Sequence, residues 1–490
     1  MKISKIKNNH ITAPETFLVW SNEIGNRLDP FFYRPIFKKL VATINSTTHK
    51  AFSLGNIIEF SFAGDWGEDP ISFEPNHDYQ LCYVLRNTNF DNKYNLNFND
   101  VAQRYVKNSK VEKLALQKGD ILIEKSGGSP IQPVGRVAFV EDLPFDKPVI
   151  FSNFLQKIRI AGDSFFPEYV FTFLQAIYHL GYTEFLQNQT TGIKNLRLDD
   201  FFKIKIAELP KNEQKKIAKF AFDTRKNAKE MEEKAIKILS SIDDFVLGEL
   251  GIDMPRGGVE RVFQIWSDEI HTRLDPSYFR PIFKMLDKIF STTKYNVKTL
   301  KNLSTKITSG ATPLSGGDAY TDQSNGIPFL RSGDINPDNE IDFDNLNFIK
   351  QEIHSKKLRG SQLKKGDLLI ALIGATIGQV SIYSSDKEAN ISQNLASVRF
   401  NEEVVPDYAK EFLLSKIGQM QLERVKRYAA RANINLDEVG SLQVIYPSKD
   451  KQNEMVGKIR KIRAKATELR QEAESIVAGA QREVEQMILA

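Results

Sequence analysis

Phe17–Leu40 reads FLVWSNEIGNRLDPFFYRPIFKKL, and Phe263–Leu286 reads FQIWSDEIHTRLDPSYFRPIFKML. Set side by side without a gap, 15 of the 24 positions agree, where unrelated stretches would share about one or two. Trp20 recurs as Trp266, Glu23 as Glu269 and Arg27 as Arg273. The Leu-Asp-Pro triplets at 28–30 and 274–276 match, as do Arg34-Pro35 and Arg280-Pro281. The blocks lie 246 positions apart in a chain of 490 residues. One half of this chain therefore restates the other, and any reading of fold or function has to start from two copies.

Working outward, each half continues with the same landmarks in the same order. Leu116–Ile123 (LQKGDILI) has its partner in Leu363–Ile370 (LKKGDLLI), a Lys-Gly-Asp turn feeding an apolar run, which predicts a strand entering a buried sheet. Glycine-rich turns and a second strand follow, at Gly127, Gly128 and Gly135 in one half and at Gly374 and Gly378 in the other. The most apolar stretch, 368–382, is too short to span a bilayer and is broken by glycines, so it reads as two buried strands and a turn. Ser152–Ile160 and Ser392–Phe400 alternate as strands do, helical stretches follow near 167–187 and 406–425, and a last strand ends at Pro210 or Pro447. Between these landmarks the loops diverge: residues 60–80 show no evident likeness to 307–328. Binding chemistry tends to reside in loops. Trp20, Trp266 and the phenylalanines beside them are expected in the core.

Each half closes on a long charged helix. Apolar or small residues recur in steps of four and three at Ile217, Ala221, Thr224, Ala228, Met231, Ala235, Ile238, Ile242 and Phe245. The second half repeats the seam at Met455, Ile459, Ile462, Ala466, Leu469, Ala473, Ile476 and Ala480. This is a heptad pattern, and each helix would reach about 50 Å at ~1.5 Å per residue. Laid antiparallel, the two helices would place the globular modules at opposite ends of a pseudo-two-fold arrangement. Both helices begin with lysines and arginines, a solvated face or a contact for phosphates or an acidic partner. Gly248, Gly251, Pro255, Gly257 and Gly258 mark the linker. The expected fold is α+β: target modules at 1–208 and 257–446, helix and linker at 209–256, and a second helix at 447–490.

Composition narrows the function classes. The chain carries 67 basic and 62 acidic side chains, a net charge of +5, compatible with nucleic acid without demanding it. Its one cysteine, Cys82, precludes a disulfide framework within the chain and fits a reducing, cytoplasmic setting. The N-terminus has lysines but no apolar run behind them, unlike a signal peptide. Six histidines and one cysteine give no metal-ligand spacing. Neither a phosphate loop nor a Gly-x-Ser-x-Gly nucleophile motif occurs. Nor is there a glycine-rich methyl-donor loop with an Asn/Asp-Pro-Pro-aromatic motif. The sequence reads as a binder and not a catalyst.

The RLDP…RPIF blocks and the Lys-Gly-Asp runs, with Leu85-Arg86, Leu330–Ile335 (LRSGDI), Thr308–Pro313 (TSGATP) and Leu209–Gln214 (LPKNEQ), resemble the specificity subunits of type I restriction–modification systems. The resemblance covers nearly the whole chain. It implies two target recognition domains, each reading one half of a split sequence in double-stranded DNA, with the paired helices setting the spacer. It further implies that two DNA methyltransferase subunits dock on the chain, that S-adenosylmethionine is carried by them and not here, and that a restriction subunit joins the assembly. One departure stands out: Lys451-Gln452 replaces Glu213-Gln214 at the start of the second helix. Two other readings share these features, an adaptor binding protein or RNA and a partner with methylation and cleavage fused in one chain.

Sequence is read by side chains that reach base edges, so the candidates are polar and basic residues in the divergent loops. In the first half these are Arg86, Asn87, Lys125, Arg136 and Lys194. In the second they are Thr308, Thr312, Arg331, Arg427, Arg431 and Asn433. For partner docking the helical candidates are Ile217, Met231, Ile238, Ile242, Ile459, Ile462, Leu469 and Ile476.

Overall fold

The computed structural model describes residues 17–21, 24, 33–46, 48–91, 95–128, 132–190, 193–254, 262–270, 273–314, 318–428 and 432–489. The chain divides into two compact units. Unit 1 is Met1–Glu232 with Gln471–Ala490, and unit 2 is Glu233–Arg470.

In unit 1 the central sheet is antiparallel, in the order Ile58–Ala63, Leu155–Ile160, Ile121–Glu124, Val137–Phe139. Unit 2 repeats it as Ser304–Ser309, Leu395–Phe400, Leu368–Ala371, Val380–Ile382. Even the register shift recurs, between Ile58 and Phe60 and between Ser304 and Lys306. The apolar runs behind the Lys-Gly-Asp turns are the strands buried on both faces. Ile121 and Ile123 enter one core cluster and Leu122 another; Leu368 and Ile370 likewise part from Leu369 and Ala371. Period-two alternation between two cores explains why these runs are continuously apolar.

The second core lies under a further sheet, built on a parallel pair in each unit: Tyr79–Leu85 with Val149–Phe151, and Ile327–Leu330 with Ala389–Ile391. Unit 1 completes it to three strands and unit 2 to five. Here the divergent loops hide a shared point. A Cβ on Gly64 would meet the carbonyls of Phe151 and Ser152 at 2.2 Å, and one on Gly310 that of Ile391 at 1.6 Å. Backbones touch at both places, and only glycine fits.

Both Lys-Gly-Asp aspartates are buried staples. Asp120 accepts from Gln117 N at 2.8 Å and from Arg159 Nε and Nη2 at 2.7 and 2.9 Å. Asp367 accepts from Lys364 N at 2.8 Å and from Arg399 Nε and Nη2 at 2.8 and 2.6 Å. The carboxylate thus closes its own turn and fixes the neighbouring strand by a bidentate pair, the stronger kind of hydrogen bond.

The long helices span Lys211–Leu250 and Lys449–Leu489, starting earlier than the heptad seam. The first runs through Gly248 and stops at Gly251, whose φ of +68° is a left-handed stop. In unit 1, Ile217 and Ala221 of the first helix share a core with Val484 and Ile488 of the second. In unit 2, Ile242, Val246 and Leu250 share a core with Met455, Val456 and Ile459. Within each unit, therefore, the start of one long helix packs in the same core as the end of the other. Ala228, Ala235, Ala466 and Ala473, all positions of the heptad pattern, are buried.

The departure at 213 and 451 leaves the helix starts intact, because the working residue is the glutamine both share. Gln214 donates to Ser164 O and Leu209 O at 2.9 and 2.8 Å and accepts from Phe166 N at 2.9 Å. Gln452 donates to Glu403 O and Pro447 O at 3.2 and 2.9 Å and accepts from Val405 N at 2.8 Å. Trp20 and Trp266 correct the expectation of core residues. Both are 69% exposed; each stands ahead of the helix that its block enters, Pro35–Asn45 or Pro281–Thr292, and neither lies in a strand.

Candidate nucleic-acid interface

In unit 1 the buried strand Ile121–Glu124 runs on into Ser126–Gly127, which pairs with the hairpin Gln187–Thr190/Ile193–Leu196. Asn188 stands opposite Asn195, and Asn195 opposite Ser126. Directly opposed residues share a face of a sheet, so these three form one polar row. Ser126 Oγ donates to Asn195 Oδ1 at 2.7 Å, and Asn188 is exposed. Gly127 has a φ of +123°, and a Cβ there would strike Asn87 Nδ2 at 2.6 Å, so the strand can pass Asn87 only as glycine.

Beneath this row lies a buried ionic network. Arg136, 8% exposed, donates through Nε and Nη2 to Glu124 at 2.8 and 3.0 Å, and through Nη2 to the carbonyl of Asn87 at 3.1 Å. Asn87 Nδ2 donates in turn to Glu124 Oε1 at 3.3 Å. Asn87 and Arg136 are thus committed within the fold and position the strand above them. Lys125 and Lys194 are half-buried, and burial pulls the Lys125 ammonium below its ordinary pKa. Lys194 pairs with Gly127, on the face opposite Asn195. Arg86 is tied to Asp100, carbonyl and carboxylate both at 2.8 Å.

Unit 2 builds the same place differently. Leu368–Ala371 leads to Ile373, which bridges to Asn433, and Asn433 bridges to Arg427. Arg427 N donates to Asn433 O at 2.8 Å and Asn433 N returns the bond at 3.1 Å. Glu438, 8% exposed, collects Arg427 Nε at 2.7 Å, Arg273 Nη1 at 2.8 Å and Asn435 N at 2.9 Å. Arg273, from the repeated block, also grips Asp275 at 2.6 and 2.7 Å and donates to the carbonyls of Val425 and Lys426 at 2.8 and 3.3 Å. The hydrogen bonds that Arg273 donates to Asp275 hold its pKa above the ordinary arginine value. In unit 2 the echoed block therefore braces the base of the segment that carries Arg427. Arg331 pairs with Asp334 at 3.1 Å, Thr308 is half-buried on Ser304–Ser309, Thr312 is exposed, and Arg431 lies outside the described residues. Arg427 and Asn433 are brought together; Thr308, Thr312 and Arg331 stand on other elements.

Sequence reading missed Ser126, Asn188 and Asn195. The alternation in Gln187–Thr190 was a usable signal, as was the acid at the end of the apolar run Ile121–Glu124, which needs a partner such as Arg136.

The sequence profile of the type I restriction modification DNA specificity domain matches residues 47–239 and again residues 293–476, over three quarters of the chain. The chain belongs to this family. It carries the DNA specificity domain of type I restriction–modification systems twice. It is 30% identical over 158 residues to the EcoBI specificity subunit of Escherichia coli, an alignment covering 32% of this chain and 33% of that relative. A solved chain from a study of complex assembly and conformational transition in the type I system aligns over 90% of this subunit and 97% of its own length, at 14% identity and a TM-score of 0.48. The S subunit from M. genitalium aligns over 91% and 97%, at 13% identity and a TM-score of 0.42.

The helical positions named for docking also have definite places in the specificity subunit. Ile217 belongs to the core of unit 1, Ile242 and Ile459 to that of unit 2, and Ile462 packs against the latter. Met231, Ile238, Leu469 and Ile476 are half-buried on the seam. Much of the basic run at each helix start is spoken for. Arg225 stacks on Phe171 and Phe222, with centroid distances of 4.7 and 4.1 Å, and its burial lowers its pKa to about 10. Arg463 is bidentate to Glu411, and Lys451 and Lys458 converge on Glu249. Among the described residues no group of His, Cys, Asp or Glu could hold a metal ion, and no helix is long and apolar enough to cross a membrane.

Proposed function

We propose that this specificity subunit reads a bipartite, asymmetric site in double-stranded DNA, one half with each unit, and presents it to two docked methyltransferase subunits carrying S-adenosylmethionine. Restriction subunits join the same cytoplasmic complex. The observation that carries the reading is a frame repeated landmark by landmark, with different exposed side chains at one matched place beside the central sheet. A frame kept twice with its polar ends altered suits two related readers of unlike half-sites. Recognition is assigned to 1–208 and 257–446, and the spacer to 209–256 and 447–490. With the helix seam turned inward, a docked subunit would use the helices' outer faces.

In unit 1, Lys125 and Lys194 serve as phosphate contacts near the polar row, with Arg86 a further candidate; in unit 2 the candidates for that part are Arg331, Thr308, Thr312 and Arg431. Neutralising one phosphate contact lowers the slope of log K against log salt by about one. K194A should do so while leaving the preferred sequence alone. The decisive experiment maps methylated bases across a genome with and without this chain. A split motif should depend on it, and exchanging 1–208 for another recognition module should change one half of that motif only. If no split motif depends on the chain, the reading fails.

A further inference from the structure

We infer that the two units read different purines at one equivalent position, unit 1 an adenine through the amide of Asn188 and unit 2 a guanine through the guanidinium of Arg427. The inference rests on the DNA-reading role proposed above and adds the residue and the base.

The equivalence comes from hydrogen bonds. Leu196 N donates to Lys125 O at 2.8 Å, and Ile434 N to Leu372 O at 3.0 Å. These contacts put Leu196 and Ile434 at the same point of the frame, so the residues before them, Asn195 and Asn433, also coincide. Asn195 lies beside Ser126 and Asn433 beside Ile373, each on the segment leaving the central buried strand. The residue on the far side of the shared asparagine is Asn188 in unit 1 and Arg427 in unit 2. Both are exposed. One frame thus offers two different side chains from one site.

Their chemistries select different bases. A carboxamide presents one acceptor and a pair of donors, matching N6–H and N7 of adenine in the major groove. The guanidinium presents paired donors, matching O6 and N7 of guanine. A two-stranded ribbon is among the elements that groove admits. In unit 2 the arginine is set in advance: buried Glu438 holds Nε at 2.7 Å and is itself held by Arg273, while the Arg427 side chain is 51% exposed. One edge of the guanidinium is fixed and the Nη1–Nη2 edge remains for a bidentate contact. In unit 1 the neighbouring amide is fixed instead, with Asn195 Oδ1 engaged by Ser126.

The test uses the full chain reconstituted with its methyltransferase partner, a randomised duplex library, and methylated bases read out at single-position resolution. Exchange of 1–208 identifies which half belongs to unit 1. N188R should convert one adenine in that half to guanine and leave the other half alone. R427Q should lower discrimination at one guanine in the unit 2 half by on the order of ten- to a hundredfold. If N188R abolishes methylation, N188Q and N188A decide: the first should keep the adenine and the second should relax it. An N188A or R427Q complex with unaltered discrimination overturns the inference while the split motif stands. A wild-type complex with no split motif overturns the underlying reading instead.

Discussion

In unit 1 the strand that leads to the hairpin ends on Glu124, a carboxylate buried under Arg136; in unit 2 the matching positions are Ala371 and Gln379, and no charge is buried there. At the other end of the same strands the units are alike. Asp120 and Asp367 close the turn and grip an arginine of the next strand, Tyr169 and Tyr408 donate to the carbonyls of Ala207 and Ile445, and Gln214 and Gln452 start the long helices. The contrast separates two duties within one module. The end that carries the helices is the same because each unit anchors the start of one long helix beside the end of the other. The end that carries the hairpin is held by whatever chemistry suits the side chains it presents.

The largest effects should come from breaking buried charge. E124A leaves Arg136 buried without its partner and should cost about 3–5 kcal/mol, whereas Q379A removes a neutral contact in unit 2 and should cost about 1 kcal/mol. D120A should also lie at about 3–5 kcal/mol. D367A should cost less, because Asp120 has a second cation, the buried Lys157, at 4.0 Å, and unit 2 has Ser397 at that place. Urea unfolding of the four variants checks the ranking. Cys82, the single thiol, gives unit 1 its own reporter. It is fully buried, and burial pushes its pKa up to about 11 from 9.0. Thiol labelling at pH 8 should be slow in the wild type, fast in D120A and unchanged in D367A. Equal rates in the two variants would remove the distinction between the units. The raised pKa also sets a sign: this contribution is complete below pH 9 and lost as pH climbs through 11, so unit 1 should open in that window ahead of a C82S control.

The shared end predicts matched losses. Q214A and Q452A each strand a buried N–H and two carbonyls, and each should cost about 1–3 kcal/mol. E213A, where the helix starts differ, should stay within about 0.5 kcal/mol, and K451A, which loses its ion pairs to Glu249 and Glu454, within about 1 kcal/mol. A large asymmetry between the glutamine variants would mean that the helix starts are not equivalent.

Much of this frame was legible in the sequence because it is local or repeated. The Lys-Gly-Asp turns announced strands, and continuous apolar runs at 121–123 and 368–370 announced burial on both faces. What stayed hidden depends on pairings across long separations. Arg136 looked like an exposed cation after a glycine turn, and its burial follows only from its pairing with Glu124. Asn188 and Asn195 looked like ordinary polar strand residues; their place beside Ser126 needs a strand contributed from about 70 residues away. Gly64 and Gly310 sit in loops with no other likeness, so the contact they share could be seen only in space.

The smallest effect should fall on the most obvious feature. Residue type suggested core positions for Trp20 and Trp266, yet both are exposed, and their repetition reports a shared constraint that says nothing of burial. At 69% exposure, W20A and W266A should each shift stability by less than about 0.5 kcal/mol, where a buried tryptophan would cost about 3–5 kcal/mol. R273A, seven residues further along the same block, should cost about 1.5–3 kcal/mol, the range for hydrogen bonds to charged groups. It frees both the carbonyls that end Lys416–Val425 and the Glu438 carboxylate that steadies Arg427. Urea midpoints in which W266A outweighs R273A would sink this account of the block. The expected order, arginine far above tryptophan, would assign its structural duty in unit 2 to bracing the segment that carries Arg427.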